Sequence, residues 1–166
     1  MSFKTFYENY EYNSLQFDIT GPLAKRVTGF KIPDELVQKR ETQPHITCKY
    51  GINEGISKQL IHLCTNFGKV KASLGLTSIF EREDCDVLKV DVFSGDIKRL
   101  NSAIVQNIMT IDKFGSDFQP HLTIAYMKRG TAEPYIKDRR FLGTMIDFDS
   151  VTFCLTDGVQ ITIYLK

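Results

Sequence analysis

Apolar and polar residues alternate along this chain with two periods, one of strands and one of helices. Leu15, Phe17 and Ile19 alternate with Gln16 and Asp18, as in a half-buried strand, and the stretch runs into Gly21-Pro22, a turn signal. Residues 27–32 read as the partner strand. Pro33, Asp34 and Glu35 open a short helix over 33–37, with proline and acids in the first turn. Ser57 is placed to cap a helix through Leu60, Ile61, Leu63 and Cys64, which Gly68 ends. Strands follow over 69–80 and 85–93; in the second, Val87, Lys89 and Asp91 alternate with Leu88, Val90 and Val92. Over 95–108 the spacing of Ile97, Leu100, Ile104 and Ile108 is that of an amphipathic helix. The chain closes with strands over 144–148, 151–156 and 159–165, the last two joined by the hairpin signal Asp157-Gly158. Strands with helices inserted and no long linker describe one α+β domain over residues 1–166, with two sheet-and-helix lobes.

Inside this pattern a phrase occurs twice. Pro44-His45-Ile46-Thr47-Cys48-Lys49-Tyr50 returns as Pro120-His121-Leu122-Thr123-Ile124-Ala125-Tyr126, the shared form being Pro-His-apolar-Thr-x-x-Tyr. The chain has three histidines, five prolines and fourteen threonines. Two chance matches to Pro-His-x-Thr have odds on the order of 1 in 100,000, so the repeat is signal. Strand alternation places His45, Thr47 and Lys49 on one face and Ile46, Cys48 and Tyr50 on the other. The second copy divides into His121, Thr123 and Ala125 against Leu122, Ile124 and Tyr126. On this reading Tyr50 and Tyr126 face the core. Pro44 and Pro120 suit the strand mouths, where a missing N–H costs little.

A pair of imidazoles beside two hydroxyls suits phosphodiester chemistry. With an unperturbed pKa of about 6.5, one imidazole takes a proton while the other gives one to the leaving oxygen. The threonine hydroxyls donate to phosphate oxygens that gain charge in the transition state. Either copy alone would read as a structural histidine on a strand; packing has no reason to repeat the phrase at two distant sites. His62, in the predicted helix and outside the phrase, reads as structural. There is no His-x-His, His-x-x-x-His or Cys-x-x-Cys, so neither a metal nor another cofactor is expected.

Composition narrows the substrate. Hydrophobic content of 42% and charged content of 25% are those of an ordinary soluble domain. A net charge of +1 supplies no global basic field, so a small nucleotide substrate fits better than long nucleic acid. No apolar run reaches the roughly 18 residues of a membrane span. Cys48, Cys64, Cys85 and Cys154 lack metal spacing, and with no secretory leader read ahead of them they are expected as free thiols in the cytoplasm. Among the aromatic residues Phe6, Tyr7, Tyr10 and Tyr12, Tyr12 is the candidate platform for a base, with Phe6 and Tyr7 read as capping the core. Lys49 is a candidate phosphate contact, and one or two of Lys128, Arg129, Lys137, Arg139 and Arg140 are expected to join it.

With both motifs in view, the chain resembles the two-histidine (2H) phosphoesterases, which carry two His-x-Thr or His-x-Ser motifs, each followed by apolar residues. The likeness spans most of the chain and rests on His45/Thr47 and His121/Thr123. It implies two antiparallel sheets facing each other across a central groove, helices outside, and those four residues as the catalytic set. The wording His45-Ile46-Thr47-Cys48-Lys49-Tyr50-Gly51 and the compact length look most like the phage anti-CBASS nucleases. That branch implies cleavage of 3′,5′ linkages in cyclic di- or trinucleotide immune signals, in the host cytoplasm. Two alternatives stand beside it: processing of 2′,5′-oligonucleotides or RNA 2′,3′-cyclic ends, and a non-catalytic nucleotide- or RNA-binding module. Intact His and Thr at all four positions count against the module, because a pure binder needs no acid–base pair.

Overall fold

The alternating segments find one another in a single antiparallel sheet. The computed structural model describes residues 11–111 and 117–166. Its strands are β1 (Asn13–Asp18), β2 (Val37–Arg40), β3 (His45–Ile52), β4 (Val70–Glu81), β5 (Cys85–Phe93), β6 (His121–Lys128), β7 (Met145–Phe148), β8 (Ser150–Cys154) and β9 (Gln160–Tyr164). The helices are α1 (Gly21–Thr28), α2 (Lys58–Thr65) and α3 (Gly95–Asn107). The sheet order is β7-β4-β5-β6-β3-β1-β8-β9, with β2 paired to β6 beside this path.

The two motif strands are neighbours at the middle of that order. Their registered pair is Ile46 opposite Leu122, both fully buried. Beyond it the strands part, and β2 takes over the edge of β6, setting Val37 opposite Met127 and Arg40 opposite Ala125. Outward from this seam the halves match strand for strand: β3, β1, β8, β9 on one side and β6, β5, β4, β7 on the other. The expectation of two separate facing sheets therefore gives way to one hydrogen-bonded sheet with a central seam.

Each helix follows from its local signals. Ser57 Oγ accepts from the Leu60 N–H at 3.1 Å and Ser94 Oγ from the Ile97 N–H at 3.0 Å, so both helices after α1 carry side-chain caps. Helix α3 buries Ile97, Leu100 and Ile104 completely and packs against α2, β3 and β4. Strands β3 and β4 are not neighbours, so the sheet curls around the helix they share.

Residues 27–32 do not form a strand. Pro22 sits in the first turn of α1, where its missing N–H and fixed φ favour a helix, and β1 pairs with β3 and β8 instead. The short helix after Pro33 is a 3₁₀ turn over Asp34–Leu36. All four cysteines are free, three of them buried. Phe6, Tyr7 and Tyr10 lie outside the described residues.

The seam yields a stability prediction. Ile46→Ala opens a cavity between the motif strands and should cost about 2–5 kcal/mol, read as a lower urea midpoint.

Candidate active site

Period-2 geometry at the seam brings the repeated residues together. His45 and Thr47 flank Ile46, His121 and Thr123 flank Leu122, and all four point away from the apolar face. Antiparallel counting from the seam pair sets Thr47 beside His121 and His45 beside Thr123. Thr47, His121 and Thr123 line a cavity of about 970 Å³; His45 is not among its lining residues.

Both imidazoles are held in the same way. His45 Nδ1 lies 2.8 Å from the Gln43 carbonyl and His121 Nδ1 lies 2.9 Å from the Gln119 carbonyl. A carbonyl only accepts, so each Nδ1 carries the hydrogen and each Nε2 is left for chemistry. In each case the proline between carbonyl and histidine restricts the backbone that aims the contact. The repeat thus begins one residue earlier than the Pro-His phrase, at Gln43 and Gln119.

Behind each histidine stands a matched set of polar groups. Asp18 on β1 is in register with His45, and Asp91 on β5 with His121. Asp18 accepts from Gln16 Nε2 at 2.7 Å and Thr152 Oγ1 at 2.5 Å. Asp91 accepts from Lys89 Nζ and Ser78 Oγ, both at 2.6 Å. Gln16 is opposite Thr47 and Thr152, and Lys89 is opposite Thr123 and Ser78, so the two sets occupy corresponding places. Burial pushes the Asp91 carboxyl up, but the hydrogen bonds from Lys89 and Ser78 more than reverse this and hold it below the usual carboxylate range.

His121 has a further neighbour. The Phe80 ring meets it edge-on at 4.8 Å between centroids, and Lys89 Nζ sits 4.3 Å from the centre of the same ring. Burial lowers the His121 pKa below the ordinary imidazole value; the Gln119 carbonyl and Asp91 oppose this, while Lys89 and His45 reinforce it.

A β-bulge in each motif strand corrects the expected faces. Leu15 pairs with Lys49 and Gln16 with Thr47, leaving Cys48 as an extra residue; Leu88 pairs with Ala125 and Lys89 with Thr123, leaving Ile124. The extra residue reverses the alternation beyond it. Tyr50 and Tyr126 consequently line the cavity rather than the core. Lys49 turns off the face it was expected to share with His45 and Thr47, and although it borders the cavity it is only 7% exposed. Asn101 of α3 donates to the Cys48 carbonyl at 2.7 Å, holding the first bulge.

Tyr12 does not line the cavity. Its ring stands edge-on to Tyr50 at 6.0 Å and its hydroxyl donates to Glu11. None of the five basic residues after β6 lines it either: Arg140 pairs with Asp138 at 2.7 Å and Arg129 donates to the Glu83 carbonyl. Among the described residues the lysines and arginines on the wall are Lys49, Arg82 and Lys98. Helix α3, expected outside, gives the cavity Lys98, Asn101, Ser102, Val105 and Gln106. Among the described residues no group of three or more His, Cys, Asp or Glu side chains is arranged to hold a metal, and no helix is long and apolar enough to cross a membrane.

Three solved structures share this fold. Escherichia coli LigT in its apo form aligns with a TM-score of 0.61 at 12% identity, over 95% of this chain and 96% of LigT. Kluyveromyces marxianus Usb1 aligns at 0.56 and 8% identity, over 95% of this chain and 99% of Usb1. Usb1 with uridine monophosphate gives 0.58 at 8% identity, over 94% and 99%. At 8–12% identity these likenesses are likenesses of fold. No protein-family model matches the sequence, and no curated protein matches it.

The carbonyl contacts are directly testable. At a pH where the rings are neutral, ¹⁵N spectra of labelled protein should show His45 and His121 both protonated at Nδ1, and His121 in the Nε2–H form would contradict the clasp.

Proposed function

We propose that this chain is a metal-independent phosphodiesterase that cleaves 3′,5′ linkages of cyclic di- or trinucleotides, disarming an immune signal in the cytoplasm of an infected cell. The observation that carries the reading is the pair of imidazoles clasped alike through Nδ1, each beside a threonine of the other motif strand. Two Nε2 atoms provide acid and base, and Thr47 and Thr123 provide donors for the non-bridging oxygens.

His121 is the base and His45 the acid in this mechanism. His121 is a half-buried imidazole on the cavity wall whose pKa is held down by desolvation, so it stays neutral and accepting at neutral pH. It takes the proton from a ribose 2′-OH or a water. The new P–O bond forms as the bond to the 5′-oxygen breaks, and His45 gives its proton to that oxygen. With 2′-OH as nucleophile the product is a 2′,3′-cyclic phosphate with a free 5′-hydroxyl, and a deoxy analogue resists cleavage.

Size and chemistry of the cavity favour an oligonucleotide over a mononucleotide. About 970 Å³ lies at the upper end of the roughly 300–1,000 Å³ typical of small-ligand pockets. Tyr50, Tyr126 and Phe118 offer faces for bases, at about 1–3 kcal/mol per stacked base. Lys49, Arg82 and Lys98 offer charge for more than one phosphate. The uridine monophosphate held by Usb1 on the same fold favours a second reading, cleavage of a linear RNA end or a 2′,5′-oligonucleotide.

A chromatographic turnover assay in EDTA separates them, using 3′,3′-cyclic dinucleotides, cyclic trinucleotides, 2′,5′-oligoadenylate and RNA with a 2′,3′-cyclic end. Cleavage confined to the cyclic substrates, reduced about 10²–10⁴-fold in His45→Ala and His121→Ala, is the expected result. Turnover of the linear substrates alone would keep the chemistry and replace the substrate; none at all, with nucleotide bound, would leave a binding module. A depressed His121 pKa keeps the base neutral to lower pH, so the acidic limb of kcat/KM should fall below about pH 6.5.

A further inference from the structure

The polar groups gathered behind the two histidines correspond pair by pair, and one of those pairs differs in charge. His45 corresponds to His121, Thr47 to Thr123, Asp18 to Asp91, and Thr152 to Ser78, the last two donating to their aspartates from the third strand of each half. The remaining pair is Gln16 and Lys89. Both are buried, both lie opposite the motif threonine, and both donate to the aspartate two residues on, at 2.7 and 2.6 Å. One carries no charge and the other a full positive charge.

We propose that Lys89 fixes the direction of proton flow through the site, committing His121 to accept the proton and His45 to supply it. This rests on the phosphodiesterase reading above. Lys89 is a positioning residue: it acts on His121 through Asp91 and Phe80.

The geometry supports this at three points. Lys89 Nζ forms an ion pair with Asp91 at 2.6 Å and is itself 7% exposed, so water screens the charge weakly. The carboxylate in register with His121 is thereby neutralised, and it offers less to an imidazolium than an unpaired one would. The ammonium also lies over the ring of Phe80, which packs perpendicular to His121, so one aromatic ring touches both the cation and the imidazole. At His45 the donors to Asp18 are an amide and a hydroxyl, and the neutral Gln16 stands in the place of Lys89. Among the described residues the charged groups around His121 are Asp91 and Lys89 from β5 and His45 from β3, with Lys49, Arg82, Lys98 and Asp117 lining the same cavity.

The test exchanges the two residues. Lys89→Gln installs in the second half the amide–aspartate contact that the first half already contains, which favours folding; Lys89→Arg keeps the charge. Gln16→Lys places a charge beside His45. Histidine ring signals are followed by NMR against pH, together with pH profiles of kcat/KM. In Lys89→Gln, His121 should titrate at higher pH, the acidic limb should move up with it, and turnover lost near neutrality should return on raising the pH. Lys89→Arg should behave as the parent. Gln16→Lys should move the alkaline limb of kcat/KM downward. An unmoved His121 titration in folded Lys89→Gln overturns the proposal, with or without turnover. A His121 shift in a protein that cleaves none of the substrates instead overturns the phosphodiesterase reading, and the proton-flow proposal falls with it while the charge asymmetry stands.

Discussion

The site depends on a single backbone register, Ile46 opposite Leu122. Because side chains alternate, that pair decides the orientation of both motifs at once: with the isoleucine and leucine buried, both His-Thr pairs must share the opposite face. A slip of one residue in either strand would carry one histidine to the far side of the sheet. The cost of that slip is large, since it would expose Ile46 or Leu122, each fully buried here. The convergence of the two His-Thr pairs and hydrophobic burial are therefore enforced by the same contact.

Most of the elements were legible in the sequence, for reasons that differ by element. Helix α3 could be read because its apolar positions Ile97, Leu100 and Ile104 repeat at helical spacing. The β8–β9 hairpin was marked by Asp157-Gly158, with Gly158 at φ 89. Residues 27–32 misled because α1 takes Val27 and Thr28 and the rest of the stretch joins no helix or strand; the proline in the helix's first turn was read as a turn signal. Short β2 carries no pattern of its own; β6 defines it by pairing.

At the site, the four motif residues announced themselves by repetition, and the same signal covered more than was read from it. Tyr50 and Tyr126 recur as faithfully as the histidines, yet alternation assigned them to the core. An odd spacing of three from threonine to tyrosine in both copies was the clue to a bulge, because a regular strand would put them on opposite faces. Asp18, Asp91 and Lys89 had no comparable signal: they matter through strand pairing, which links residues distant in sequence. The basic run after β6 misled in the other direction, as Asp138 lies within it and engages Arg140.

Helix α3 separates two tasks along its two faces. Ile97, Leu100 and Ile104 hold it in the core, while Lys98, Ser102, Val105 and Gln106 look into the cavity from exposed positions. Substitutions on the outer face disturb no buried packing and leave the two His-Thr pairs alone. The fold therefore sets a replaceable wall above a fixed floor, and a lineage could rewrite that face while the packing beneath it stayed intact.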